Sequence, residues 1–130
     1  MSIEEDYVTL EQAKMLKDKG FDEDCFSYYY RTPDKEYKIA YDGVDGGDHW
    51  NSRGDSRISR PTHQMVLKWF REVHGIMVTI DYDNDPDSLP YERWGFSWYA
   101  MPHYEVDIRT FATHEAATSA AIDDVLTNLI

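Results

Sequence analysis

The spacing of apolar residues between positions 62 and 82 changes once, at Gly75. Before Gly75 the apolar residues stand one, three and four positions apart, which is typical of one stripe of an α-helix. They are Met65, Val66, Trp69, Phe70 and Val73. Thr62 can cap the start of this helix, and Gly75 can adopt the left-handed conformation that ends many helices. We predict a helix here whose Trp69 and Phe70 are buried against a sheet.

After Gly75 the apolar residues alternate with polar ones, and this spacing predicts a strand over residues 76–82 with one buried face. Aromatic and β-branched residues alternate in the same way over 94–101 and 104–108. Thr113 then caps an alanine-rich apolar stripe that predicts a final helix through Leu129.

The beginning of the chain follows the same order of elements. Thr9 and Gln12 have the spacing of a capping box, and Gly20 ends the helix that they begin. Residues 26–31 and 37–41 each alternate, and the short Pro-Asp segment between them predicts a β-hairpin.

These elements together predict an α+β fold with the order α-β-β-α-β-β-α. We expect a single domain over residues 1–130, with a mostly antiparallel sheet of about four strands and three helices on one face. Residues 1–7 are expected to be a flexible tail. Residues 42–59 contain four glycines and four aspartates and are expected to form a long loop.

Composition narrows the class of function. The chain has 25 acidic and 13 basic residues, which gives a net charge of −12. This charge argues against direct binding of nucleic acid, because proteins that bind its phosphates need a basic face. The chain has no run of 18 apolar residues, so the sequence predicts no membrane span. One cysteine, Cys25, and an acidic N-terminal segment that does not resemble a signal peptide favour a cytoplasmic location.

Two helical motifs carry a resemblance to a known family. They are Val8-Thr9-Leu10-Glu11-Gln12-Ala13-Lys14 with Gly20-Phe21, and Pro61-Thr62-His63-Gln64-Met65 with Trp69-Phe70-Arg71-Glu72-Val73. With them the chain resembles a family of small uncharacterised proteins carried by phages and mobile elements of Bacteroidetes. The resemblance covers the first and central helices and, loosely, the last one. It implies a small cytoplasmic accessory protein and carries over no catalytic residue.

His103, Glu105 and Asp107 are candidates for a metal site because they share one face of a predicted strand. Side chains two positions apart on a strand stand ~7 Å from each other, so another element would have to complete the coordination of one ion. The alternative is a solvated face, with Tyr104, Val106 and Ile108 on the covered side.

Two aspartate-rich segments are candidates for an acidic surface, namely Asp42, Asp45 and Asp48, and Asp83, Asp85 and Asp87. The second segment begins like a calcium-binding loop. It then has Ser88 at the position of the required glycine and Trp94 at the position of the bidentate glutamate. A plain acidic turn is the alternative.

Arg53, Arg57 and Arg60 form the basic concentration of the chain and precede the predicted start of the central helix. Because helix N-termini attract anions, these arginines are candidates for binding a phosphate or an acidic partner. The alternative is that they are solvated and offset nearby aspartates.

No nucleophile or cofactor motif is recognisable, so we assign no catalytic residue and no cofactor. Tyr29 and Trp98 are candidates for an exposed aromatic patch, which would indicate a protein interface. The alternative is that the aromatic residues of these strands form the core of the sheet and one exposed face. The first hypothesis is that the chain binds a host or phage protein, in one version as an acidic mimic of nucleic acid. The alternative is a small metal-dependent or phosphate-handling enzyme. The oligomeric state is not predicted.

Overall fold

A computed structural model describes residues 3–42 and 47–130, which contain three α-helices and six strands and confirm the α+β class. The strands form two three-stranded antiparallel sheets, where the sequence predicted about four strands. The chain divides into two compact units, Met1–Thr62 and His63–Ile130. The elements are α1 (Leu10–Asp18), β1 (Ser27–Arg31), β2 (Tyr37–Tyr41), β3 (Arg57–Ser59), α2 (His63–His74), β4 (Met77–Tyr82), β5 (Trp94–Ala100), β6 (His103–Val106) and α3 (His114–Asn128).

Unit Met1–Thr62 is built on the predicted capped helix and hairpin. The Thr9 hydroxyl accepts from the Gln12 N–H and the Gln12 side chain accepts from the Thr9 N–H, which completes the predicted capping box. Gly20 has a φ of +91° and ends the helix. The N–H of the next residue, Phe21, donates to the carbonyl of Leu16 in α1. The sheet order is β2-β1-β3, and the Tyr29 hydroxyl in its centre donates to the Val8 carbonyl at 2.9 Å.

The prediction that residues 42–59 form one long loop is wrong in its second half. A turn of 3-10 helix at Trp50–Ser52 and strand β3 lie within it. The buried Trp50 indole N–H donates to the Cys25 carbonyl, and the Asn51 side chain bonds both the Phe21 carbonyl and the Ser59 N–H. These side-chain hydrogen bonds hold the segment in one conformation, although its glycines allow the backbone many others.

Unit His63–Ile130 begins with the predicted helix and strand. Trp69 and Phe70 are buried, as predicted, and Gly75 has a φ of +66°. Val73 was predicted to lie in the buried stripe but is exposed in the last turn of α2, whereas His63 and Leu67 are buried on that helix.

The second sheet has the order β4-β5-β6, and α3 is capped by Thr113, whose hydroxyl accepts from the Ala116 N–H. Phe96 and Trp98 of the central strand are buried, together with residues of α3 that include Ala121, Ile122 and Val125. The expectation that Tyr104, Val106 and Ile108 form a covered side of the last strand is wrong, because all three side chains are exposed.

Candidate protein-binding surface

The sheet of unit His63–Ile130 has an outer face that carries large exposed side chains. Met77, Tyr99 and Tyr104 are cross-strand neighbours on β4, β5 and β6, so their side chains point to the same side of the sheet. Val106 pairs with Ser97 on that side, and Ser97 is buried. Tyr104 is 65% exposed and Val106 is 57% exposed. We call Met77, Tyr99, Tyr104 and Val106 the outer face.

The inner face of the same sheet is the one that α3 covers. The next cross-strand row consists of Val78, Trp98 and Glu105. Trp98 and Glu105 line a pocket of about 250 Å³ together with residues from the last turns of α3. Its lining residues are Trp98, Glu105, Asp107, Asp124, Asn128 and Leu129. Because strand residues alternate between faces, this places Glu105 on the helix side and leaves Tyr104 and Val106 outside.

The pocket is acidic, and within residues 3–42 and 47–130 Asp107 is the one carboxylate of its lining that forms an ion pair. Arg109 binds both oxygens of Asp107, at 2.9 and 3.1 Å, and this hydrogen bonding lowers the pKa of the Asp107 carboxyl below its usual value. Asp124 accepts a hydrogen bond from the Asn128 amide at 2.8 Å. The Glu105 carboxylate forms no ion pair or hydrogen bond within the described residues. The pocket therefore retains a net negative charge.

Of the three candidate metal ligands, Glu105 and Asp107 line this pocket, and His103 pairs with Ala100 farther along β6. Residues 3–42 and 47–130 contain no group of three or more His, Cys, Asp or Glu side chains that could hold a metal ion. The geometry therefore gives the metal hypothesis no support.

The acidic segment that follows β4 is an ordered turn. The Asp83 carboxylate accepts from the Asp85 N–H and from the Ser88 hydroxyl, and these bonds lower the pKa of Asp83. The Asp85 carboxylate accepts from the Asp87 N–H, and the Arg93 guanidinium donates to the carbonyls of Asp83 and Asp85. Carboxylates that cap their own backbone in this way are typical of turns.

Of the other candidate acidic residues, Asp48 lies in an isolated bridge with Cys25 and Asp42 follows the end of β2. The predicted position Asp45 lies outside the described residues. Asp42 and Asp48 belong to the first unit, whereas Asp83, Asp85 and Asp87 belong to the second.

The three candidate arginines each have partners within unit Met1–Thr62. Arg53 forms an ion pair with Asp48 at 3.0 Å, which lowers the pKa of the Asp48 carboxyl. Arg57 lies over the rings of Tyr28 and Trp50.

Arg60 lies 4.0 Å from the centre of the Tyr7 ring and donates to the hydroxyls of Ser27 and Tyr41. Tyr7 thus has fixed partners, although it was placed in the predicted tail. Since Tyr28 and Tyr29 alternate on β1, Arg57 contacts one face of the sheet and Arg60, which also lies over Tyr29, the other. The structure does not bring these two arginines together.

Sequence reasoning missed a charged cluster around His49. One ring nitrogen contacts the Asp22 carbonyl and the other lies 3.1 Å from the Asp24 carboxylate. The Asp22 hydrogen bond and the surrounding carboxylates raise the pKa of His49 above that of an ordinary histidine. His49 and Asp22 are 27 positions apart, so no local spacing in the sequence indicates the contact.

Three further residues, Tyr29, Trp98 and Cys25, are buried, and burial argues against a functional role for them at the surface. Tyr29 and Trp98 are both buried, so neither belongs to an exposed aromatic patch. On the second sheet, the exposed aromatic residues among the described ones are Tyr82, at the end of β4, and Tyr99 and Tyr104 of the outer face. Cys25 is also buried, and burial raises the pKa of its thiol to about 12.

The chain matches no protein-family model, no curated protein and no solved structure. The resemblance to phage and mobile-element proteins therefore stays a prediction. None of the helices within the described residues is long and apolar enough to span a bilayer.

Proposed function

We propose that this chain is a small protein-binding protein that contacts its partner through the outer face of the β4-β5-β6 sheet. The observation that carries the proposal is the exposure of Met77, Tyr99, Tyr104 and Val106 side by side on one face. Contiguous exposed apolar and aromatic side chains are typical of protein interfaces, where they supply the buried centre of the contact.

Charge favours a basic protein as the partner. Unit His63–Ile130 contains eleven acidic and four basic residues, which leaves a net charge of −7. A field of that sign attracts a basic surface and opposes the approach of a second copy of the same chain. In line with the predicted context, the partner would be a host or phage protein in the cytoplasm.

A finer version is that the carboxylates imitate nucleic acid and occupy a basic site on the partner. It is supported by the overall charge of −12 and by the ordered acidic turn at Asp83, Asp85 and Asp87. In this version those carboxylates, rather than the outer face, provide most of the binding energy.

The alternative enzyme hypothesis would use the pocket beside Glu105. The residues that line that pocket include carboxylates and one amide but no Ser, Cys, Lys or His side chain. No specific observation on the described residues favours a reaction there.

The proposal is tested by placing a photo-crosslinking amino acid at Tyr99 on the outer face. The same amino acid at Tyr91, which is exposed in the loop before β5, is the control. We expect a crosslinked basic protein at position 99 that is absent at position 91. With that protein purified, Tyr99→Ser should weaken binding about tenfold or more, because central aromatic residues dominate interface energy, and Tyr91→Ser should leave it unchanged. Equal effects of the two substitutions would contradict the proposal.

A further inference from the structure

The open edge of β6 adds a second feature to the outer face. β6 is the last strand in the order β4-β5-β6, so one of its edges has no neighbouring strand among the residues that the structure describes. The Asp107 N–H donates to the Phe96 carbonyl of β5 at 3.1 Å. In an antiparallel ladder, alternate residues point their N–H and C=O groups in opposite directions. The backbone N–H and C=O groups of Glu105 and Asp107 therefore point toward β5. Those of Tyr104 and Val106 point toward the open edge of the sheet.

Those outward groups are available to another strand. Within the described residues, no backbone hydrogen bond reaches the N–H or C=O groups of Tyr104 and Val106 on the open side. Every residue of β6 is exposed. Natural sheet edges of this kind commonly accept an added strand unless a charge, a bulge or a proline blocks them. Glu105 is such a charge on β6: its carboxylate opposes an acidic or apolar strand but can pair with a basic one.

The two sides of β6 differ in chemistry. Tyr104 and Val106 point to the outer face and are apolar, whereas Glu105 and Asp107 point to the acidic pocket beside Asp124. In an added strand, the residues opposite Tyr104 and Val106 would lie on the apolar side. The residues between them would lie on the acidic side.

We propose that β6 binds an extended segment of a basic partner by strand addition, and that the segment alternates apolar and basic residues. The apolar side chains cover Tyr104 and Val106, and the lysines or arginines reach Glu105 and the pocket that holds Asp124. Main-chain hydrogen bonds to Tyr104 and Val106 supply affinity, and the alternation supplies specificity, as in other cases of strand addition. The proposal rests on the proposed function and specifies its partner as an extended basic segment rather than a folded surface.

Charge complementarity decides between this occupant and a second copy of the chain. Antiparallel pairing of two β6 strands would bring Glu105 and Asp107 of both copies near one another. Like charges opposite each other on a sheet are destabilising, and each chain already carries a net charge of −12. A basic segment instead neutralises Glu105, which has no cationic partner among the described residues.

The probe is a synthetic peptide of alternating lysine and valine, slightly longer than β6. Its control is a peptide of the same composition in which the lysines and the valines form two blocks. Titrations by fluorescence anisotropy should show binding of the alternating peptide about tenfold tighter than that of the block peptide, because only the alternating one satisfies both sides of β6. N-methylation of the amides that face β6 should remove the difference.

Matched variants locate the site. Glu105→Lys should weaken binding of the alternating peptide about tenfold or more, through loss of a charge-assisted contact and addition of repulsion. Asp81→Lys makes the same change of charge on β4, the opposite edge strand of the sheet, and should have little effect. Hydrogen exchange measured by NMR should slow at the Tyr104 and Val106 amides in the complex and not at those of β4.

Equal binding of the two peptides, or unchanged exchange at Tyr104 and Val106, would overturn strand addition. That result would leave the proposed function intact if crosslinking at Tyr99 and the Tyr99→Ser variant still identify a partner, because Tyr99 lies on the central strand. Failure of the Tyr99 experiment together with successful strand addition would restrict the contact to β6.

Discussion

His49 shows how a single exposed side chain can report on the folding of unit Met1–Thr62. Its ring lies between the Asp22 carbonyl and the Asp24 carboxylate, and these partners exist only when the segment around Trp50 is folded against the end of α1. The bonds favour the protonated ring, so the pKa of His49 is raised.

We therefore predict that an NMR titration of the ring protons gives His49 a higher pKa than a histidine in an unfolded peptide, which titrates near ~6.5. Since the pKa is raised by folding, the contribution of His49 to stability is complete below the unfolded pKa and is lost as pH rises through the folded pKa. His49→Gln should abolish that pH dependence. Asp24→Asn should lower the pKa of His49, and an unchanged titration in that variant would contradict the assignment.

Cys25 has the opposite property, because burial suppresses its ionisation. With a thiol pKa of about 12, only about one molecule in ten thousand carries a thiolate at pH 8, and the thiolate is the reactive form. We predict that the native protein reacts with a chromogenic disulfide reagent much more slowly than the protein in concentrated guanidinium chloride. Fast reaction of the native protein would show that this part of the first unit opens readily.

At the scale of elements, Asn51 holds a segment that the sequence predicted to be irregular. Its amide nitrogen donates to the Phe21 carbonyl at 2.6 Å and its oxygen accepts from the Ser59 N–H at 2.9 Å, so it links the exit of α1 to β3. Asn51→Ala should lower the free energy of unfolding by ~1–3 kcal/mol, because both partly buried backbone groups lose their partner.

The control for this prediction is Asn128→Ala, the same substitution at an exposed residue of α3 whose amide donates to the Asp124 side chain. It should change the free energy of unfolding by no more than ~0.5 kcal/mol. Urea denaturation followed by tryptophan fluorescence measures both. Equal effects would show that the two hydrogen bonds of Asn51 contribute little.

The elements that were predicted correctly are those whose signals are local. The Thr9–Gln12 capping box, the glycine at position 75 and the stripe that buries Trp69 and Phe70 each lie within a few residues of the structure they specify. Strand β3 was missed because it has three residues, and its partners are contributed by β1 and by Asn51 rather than by its own pattern.

The candidate surface was predicted least well, for a related reason. The alternation of Tyr104 with Glu105 shows that β6 has an apolar and an acidic side, but it does not show which side a helix covers. That choice depends on α3, which follows in the chain and packs on β4 and β5 on the side of the sheet to which Glu105 points. An apolar side was therefore assigned to the core when it is the exposed one.

At the scale of the whole molecule, the acidic residues are distributed over both units, with a net charge of −5 in Met1–Thr62 and −7 in His63–Ile130. Such a field accelerates encounter with a basic partner and is screened by salt, with a Debye length of ~10 Å at 0.1 M and ~3 Å at 1 M. Salt therefore separates the two versions of the proposed function.

If the carboxylates imitate nucleic acid, affinity for the partner should fall steeply and linearly on a plot of log affinity against log salt, as it does for phosphate contacts. If the outer face and the β6 edge provide the binding energy, affinity should fall at first and then level off, because apolar burial and main-chain hydrogen bonds persist at high salt. If the carboxylates imitate nucleic acid, the double substitution Asp85→Asn with Asp87→Asn should flatten the salt dependence of affinity, and otherwise it should not. If the outer face and the β6 edge bind the partner, Glu105→Gln should reduce the salt dependence. We expect the second behaviour, because Glu105 lies beside an open strand edge and has no cationic partner in the described part of the chain, whereas the carboxylates of Asp83 and Asp85 accept hydrogen bonds within their own turn.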